Sequence, residues 1–271
     1  MSQSRLPFLA SLFLFPALFP ACFGATESDG GTEPAVVEAE VKRQWPPLAL
    51  VYRGDDAAGC RGCSEAVQQL LETSSFGFVV KFVGPHEALH VDDETLERAT
   101  LYAQPAGNAS LDEAWEHVKA TAPAIRKFVK RGGRYLGFCM GGYFAGSEPG
   151  FELLPGDTDQ WIASKKASVR TEADALVRVD WGKKTRFMYF QDGPYFIVDK
   201  DEKEAKDVDV LARYSSNEKI AALVAPYGKG KVGVAGPHPE ADASWYALAH
   251  LSDPDGPDAD LGHDLLAATM K

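Results

Sequence analysis

Between residues 47 and 147 short apolar runs alternate with stretches patterned for helix, and this alternation restricts the chain's possible folds more than any other feature. Pro47 to Arg53 (PLALVYR) is an apolar run bounded by Pro46 and Gly54, as in a buried strand. After the loop Gly54 to Gly59, residues Cys60 to Thr73 place Val67, Leu70 and Leu71 at helical spacing. Phe76 to Val83 and Leu101 to Gln104 are two more strand-like runs, the second stopped by Pro105. Leu111 to Lys130 is predicted as one helix, with Ser110 as cap, Glu113 completing a capping box, and Trp115, Val118, Ile125, Phe128 and Val129 on one face. Gly132-Gly133 ends it, and Arg134 to Phe138 is the next strand. Such alternation predicts a parallel sheet with helices on both faces. The second half changes texture. Leu176 to Trp181, Thr185 to Gln191, Val208 to Tyr214, Ala221 to Pro226 and Lys231 to Ala235 are strand-like and separated by turns, which suits antiparallel additions to the sheet. Helices are expected over Ala243 to Leu251 and Leu261 to Met270. The fold class expected is therefore α/β, a mostly parallel central sheet flanked by helices, with antiparallel strands added in the second half.

A chain of 271 residues with 45% hydrophobic and 25% charged residues suits one well-buried domain, and no linker or internal repeat divides it. Lys and Arg number 28 against 39 Asp and Glu, a formal charge of −11, so no basic face serves a nucleic acid or an anionic membrane. The first 24 residues have a different character. Arg5 is followed by an apolar run from Leu6 to Phe23, interrupted late by Pro16 and Pro20 and ending in small residues. That is the layout of a secretory signal peptide cleaved after Gly24. A membrane anchor and a degenerate lipobox at Phe19-Pro20-Ala21-Cys22, with Cys22 lipidated, are the alternatives. All three send the folded part out of the cytosol, to a secreted or extracytoplasmic location. Residues 25–44 read as a flexible lead-in and 45–271 as the domain.

The chemistry concentrates in Tyr135-Leu136-Gly137-Phe138-Cys139-Met140-Gly141-Gly142, where a strand runs into Gly-x-Cys-x-Gly-Gly and then toward a helix-like stretch at Tyr143 to Gly146. This is the thiol form of a nucleophile elbow: flanking glycines let the backbone turn sharply and hold the central side chain above the sheet. A thiol at a helix start is shifted toward thiolate, and the Met140 amide is placed to meet the oxygen that gains charge when a carbonyl is attacked. A buried small hydrophobe beside a tight turn fits the same residues equally well. A thiol nucleophile needs a base and the base an orienting group. Gly230 to Glu240 (GKVGVAGPHPE) delivers His238 at a strand end with Glu240 two residues on, whereas His86, His90, His117, His250 and His263 sit in helical or polar settings and read as solvated surface.

Gly-x-Cys-x-Gly with His-Pro-Glu about a hundred residues later resembles the class I glutamine amidotransferase fold, which is flavodoxin-like, and its Cys-His-Glu triad. More narrowly, the chain resembles the amidotransferase-like N-terminal domain of eukaryotic biotin protein ligases and its stand-alone relatives. Val51-Tyr52-Arg53-Gly54, Gly137 to Ala145 (GFCMGGYFA), Gln191 to Phe196 (QDGPYF) and Tyr227 to Glu240 carry the resemblance, which covers residues 47–246. It implies Cys139 as nucleophile, His238 as base and Glu240 as orienter, with Gly107 of the Pro105-Ala106-Gly107 loop joining Met140 in the oxyanion hole. Two positions depart from the family pattern. Tyr143 stands where glutaminases hold their substrate with a Gln, and Ala106 replaces the middle glycine of Pro-Gly-Gly. With these departures and no synthetase or ammonia-accepting domain in the sequence, glutamine hydrolysis coupled to amination is not expected, and without a ligase catalytic domain neither is biotinylation.

Cys60 and Cys63 form a Cys-x-x-Cys at the first helix start, suited to a structural disulfide ahead of a redox role, and without a second pair they do not make a zinc site. Asn108-Ala109-Ser110 is a glycosylation sequon beside the expected site. No metal or other cofactor is expected. The partner expected is a small-molecule or peptide substrate. The principal expectation is a cysteine-dependent hydrolase of an amide or acyl bond, the alternatives being an inactive binding or regulatory module on the same fold and a Cys60/Cys63 oxidoreductase.

Overall fold

The computed structural model describes residues 46–54, 60, 62–107, 110–147 and 149–271. The segment read as a signal peptide, Cys22 within it, the lead-in to residue 44 and the sequon asparagine Asn108 lie outside them.

The first half builds a parallel sheet from β1 (Leu48–Tyr52), β2 (Val79–Val83), β3 (Leu101–Gln104) and β4 (Arg134–Phe138). The strand order is β2-β1-β3-β4, continued by β11 (Gly230–Ala235), which runs parallel to β4. Alternation along each strand separates two cores. Ala49, Val51, Leu101, Ala103, Leu136 and Phe138 pack with α1 (Cys63–Glu72) and α7 (Ala259–Met270). Leu50, Tyr52, Tyr102 and Tyr135 pack with α2 (Asp93–Glu97), α3 (Leu111–Val118) and α4 (Ala122–Lys130). Both faces of the parallel strands are thus covered, as the continuous apolar runs require.

The antiparallel half extends the sheet through β10 (Ile220–Tyr227), β9 (Asp209–Tyr214), β6 (Ala175–Trp181) and β7 (Lys184–Phe190). Two strands went unrecognised in the sequence. β5 (Gly156–Gln160) reads GDTDQ and has no apolar pattern; it exists because it pairs with β8 (Pro194–Val198), which meets β10 at Ile220. β8 opens on Pro194, a strand-start position where a missing N–H is tolerated.

The single helix expected over Leu111–Lys130 is two helices. Ser110 Oγ accepts the Glu113 amide at 3.3 Å and starts α3, but Pro123 lacks an N–H and its ring clashes with a carbonyl one turn back. The chain takes a 3-10 turn at Lys119–Thr121 and restarts with Pro123 in the first turn of α4. The last helices are α6 (Ala243–Leu248) and α7, and none of the described helices is long and apolar enough to cross a membrane.

Candidate active site

Because β1, β3, β4 and β11 run parallel, their carboxyl ends lie along one edge of the sheet, the edge where open α/β sheets place ligands. Four loops leave that edge, and each carries residues singled out in the sequence.

At the end of β4, Cys139 adopts φ 49° and ψ −105°, a conformation a non-glycine residue enters only when its surroundings force it. Its amide donates to Ala235 O at 2.9 Å, continuing the ladder to β11, and its carbonyl accepts the Tyr143 amide at 2.9 Å, starting α5 (Met140–Tyr143). The turn is possible because a Cβ on Gly141 would lie 1.9 Å from the Gln104 carbonyl oxygen, and one on Gly137 2.3 Å from the Gly141 carbonyl oxygen. Helix therefore begins at Met140, earlier than the expected stretch from Tyr143, and is only four residues long. As its first residue, Met140 has an N–H with no acceptor within the helix.

At the end of β11, Gly236 donates to Ala221 O (2.8 Å) and the His238 amide to Tyr189 O (2.9 Å), fixing the turn that inserts the imidazole. His238 Nδ1 stands 2.8 Å from Glu240 Oε1, and the two residues are 2% and 5% exposed. With Glu240 ionised, Nδ1–H is the donor, which leaves Nε2 facing away from the carboxylate. Tyr189 packs edge-on against the imidazole at 5.7 Å between centroids, and Trp245 of α6 lies at 5.3 Å. Burial would lower the pKa of His238, but the charge of Glu240, with Cys139 close by, and the hydrogen bond to Glu240 outweigh it and raise it to about 10. Cys139 thus lies within electrostatic reach of the ring. Its thiol nevertheless donates to Gln191 O at 3.3 Å, and His238 Nε2 has no hydrogen-bond partner among the described residues.

After β3, Ala106 is buried in one cluster with Cys63 and Cys139, and Gly107 next to it is half-buried. Cys60 and Cys63 are joined in a disulfide, their Cα atoms 5.5 Å apart, and Cys60 packs with Trp245 against that same cluster. The fold thus brings Cys139, Met140, Ala106-Gly107, His238 and Glu240 to one sheet edge, together with the Cys60–Cys63 pair. Among the described residues no three His, Cys, Asp or Glu side chains are gathered as metal ligands.

Residues the sequence left without a role complete the surroundings. Tyr143 Oη donates to the Asp192 carbonyl at 3.1 Å, and burial first, then Asp192 and Cys139, raise its pKa. Asp192 has φ 47°, and Gln160 Nε2 donates to both its carboxylate oxygens at 3.0 and 2.9 Å. The signal for this loop was Gln191-Asp192-Gly193 itself: a Cβ on Gly193 would lie 2.0 Å from Gly236 O, so the loop is pressed against the one that carries His238. Tyr189 and Trp245 gave no local signal because their role depends on packing across the fold. His263, read as solvated, is half-buried, with Nε2 3.0 Å from the Leu70 carbonyl oxygen.

The sequence matches the family described as Biotin-protein ligase, N terminal, over residues 49–160 and 158–262. The chain belongs to the biotin-protein ligase N-terminal family. A biotin–protein ligase of Schizosaccharomyces pombe (strain 972 / ATCC 24843) is 29% identical to it over 228 residues, covering 72% of this chain and 33% of the ligase. The chain therefore spans about one third of the length of that relative. Among solved structures, the Cytoplasmic Protein STM1381 of Salmonella typhimurium LT2 superposes with a TM-score of 0.50 at 13% identity, covering 83% of this chain and 99% of the other. That likeness concerns the fold alone. Within the biotin-protein ligase N-terminal family, then, this member carries the mixed sheet and the Cys139 elbow described above.

Proposed function

We propose that this protein is a cysteine-dependent hydrolase of an amide or related acyl bond, working outside the cytosol and using Cys139, His238 and Glu240. The observation that supports it best is the buried His238–Glu240 pair, 2.8 Å apart, within electrostatic reach of a thiol held in a strained elbow. A Cys139 thiolate would attack the substrate carbonyl while the protonated His238, oriented by Glu240, gives its proton to the leaving group. The developing oxyanion would meet the amides of Met140 and Gly107. Water would then attack the thioester, with neutral His238 taking its proton and Cys139 leaving as thiolate. The apolar segment at residues 6–23 motivates the extracytoplasmic location.

A second reading, a binding or regulatory module without turnover, is favoured by one contact: the Cys139 thiol donates to Gln191 O and not to His238. Two measurements separate the readings. Iodoacetamide at neutral pH, followed by peptide mass spectrometry, is expected to label Cys139 much faster than a simple thiol. Amide, peptide and ester libraries are expected to yield hydrolysis by the wild type that Cys139→Ala abolishes. A sluggish Cys139 with no hydrolysis in either chain would establish the binding module.

A further inference from the structure

The sheet edge that carries Cys139 holds three cysteine sulfurs. The chain leaving β1 brings Cys60 and Cys63, the latter the first residue of α1; the chain leaving β3 brings Ala106; and β4 ends on Cys139. Cys63 and Cys139, 2% and 8% exposed, share one buried cluster with Ala106, and Cys60 packs against it. Cys63 and Cys60 are paired, while Cys139 is free. A disulfide and a thiol that is argued above to act as a nucleophile therefore occupy the same small cluster, and that combination is reactive by nature.

We propose that the site has a second, redox activity, an intramolecular thiol–disulfide exchange in which Cys139 attacks the Cys60–Cys63 disulfide. This rests on the reading of Cys139 as a nucleophile. The Cys139 thiolate forms a bond to Cys63 Sγ, the Cys60–Cys63 bond breaks, and the electron pair leaves on Cys60 Sγ, which takes a proton from solvent. One disulfide is replaced by another, so no external oxidant or reductant is needed.

The direction of attack follows from placement. Cys63 is the member of the pair buried with Cys139, whereas Cys60 is half-buried just ahead of the ten-residue helix α1. Attack on Cys63 leaves the electron pair on Cys60, the more exposed of the two sulfurs, where solvent can supply the proton. In the Cys63–Cys139 form the nucleophile is covalently capped and acyl transfer stops. A small thiol that reduces this bond returns Cys139 and leaves Cys60 and Cys63 as a dithiol. The elbow would then report the thiol–disulfide balance of its surroundings, and Ala106, between the loops, lies against both partners' cluster.

The test uses the full chain carrying Cys60→Ser, in which Cys63 and Cys139 are the two cysteines left at the site. The probe is glutathione disulfide at about pH 8, where thiols begin to ionise. It forms a mixed disulfide on Cys63, releasing one glutathione; Cys139 then attacks that sulfur and releases the second. After acid quenching and blocking with N-ethylmaleimide, peptide mass mapping is expected to find Cys63 linked to Cys139. Iodoacetamide labelling of Cys139 is expected to be lost and to return with dithiothreitol. Separate glutathione adducts on the two cysteines, or a Cys139 that stays labelled, would overturn the exchange and leave the nucleophile standing. A reduced Cys60→Ser/Cys63→Ser chain whose Cys139 resists iodoacetamide would instead remove the nucleophile and this proposal with it. Should Cys60→Ser not fold, the wild-type chain incubated without added thiol carries the test. A Cys63–Cys139 peptide pair is expected beside the Cys60–Cys63 pair, and its absence overturns the proposal.

Discussion

Cys139 owes its position to neighbours that have no side chain. Gly141 passes so close to the end of β3 that a methyl group there would meet the Gln104 backbone, which cannot rotate away as a flexible side chain could. Gly141→Ala is therefore expected to lower stability by roughly 1–3 kcal/mol, the usual range for forcing an extra carbon into a packed site, and urea denaturation measures it. The same change should slow iodoacetamide labelling of Cys139 by displacing the elbow. At His238 the prediction concerns charge. Burial works against the imidazolium, but Glu240 and Cys139 outweigh it, so the folded-state pKa lies near 10, above the value in an unfolded chain. A group raised in this way contributes stability that is fully present below the unfolded value of about 6.5 and is lost as pH rises through the folded value. Glu240→Gln removes the largest favourable cause. The His238 ring signal followed by NMR is expected to titrate at least one unit lower in that variant, with the alkaline loss of thermal stability moving to lower pH by the same sense.

At the scale of elements, the segment joining α6 to α7 holds an unusual carboxylate. Asp258 occupies the position before α7, is wholly buried, caps no amide with its side chain, and neither of its carboxylate oxygens has a hydrogen-bond partner among the described residues. Arg186 Nη1 is its ion-pair partner at 3.6 Å. Burial is the main force on its pKa, opposed by Arg186 and reinforced by Asp253, Asp255 and Asp260, and it is pushed up to about 7. For a carboxyl raised in this way the folded state holds a proton that the unfolded state releases, so stability falls as pH rises between about 4 and 7. Asp258→Asn keeps the shape without the buried charge. It is expected to raise Tm at about pH 8 by a few degrees and to leave Tm at about pH 4 nearly unchanged, by differential scanning calorimetry at the two values. The break between α3 and α4 is an elementary effect of Pro123 and was available in the sequence: the apolar stripe from Trp115 to Val129 continues across it, and only the backbone does not.

For the whole molecule, the last helix closes one core. Leu261, Leu265 and Leu266 of α7 are fully buried with α1 and the sheet, and Gly233 of β11 lies under Thr269, where an added Cβ would come within 1.9 Å of the hydroxyl. Leu265→Ala is expected to cost about 2–5 kcal/mol, the range for a large-to-small change in a core, visible as a lower urea midpoint. Because α7 packs behind β4 and β11, the strands that end at Cys139 and His238, a fall of Cys139 labelling to the rate of a simple thiol is expected in parallel with unfolding and not before it. The strand runs and turn residues made much of this architecture legible. β3 and β4 occur at the residues their apolar runs indicated, and the antiparallel half begins where the texture changes. β5 was hidden because its sequence is polar and its strand character comes wholly from β8. The surroundings of the site were hidden for a related reason: Tyr189, Trp245, Gln160 and Asp192 acquire their roles only when loops distant in sequence meet.

What the sequence by itself determined is local: periodicity marks strands and helices, proline and glycine mark where they stop, and Gly-x-Cys-x-Gly-Gly and His-Pro-Glu mark the chemically capable residues. Each of those signals is a consequence of backbone sterics or of side-chain burial over a few residues. Only the tertiary structure decided that the loops after β1, β3, β4 and β11 share an edge, that a disulfide packs beside the free thiol, and that Cys139 turns its hydrogen toward Gln191. Those facts depend on parallel register across the sheet and on contacts between residues as far apart as Cys63 and Cys139, which no window of local sequence contains.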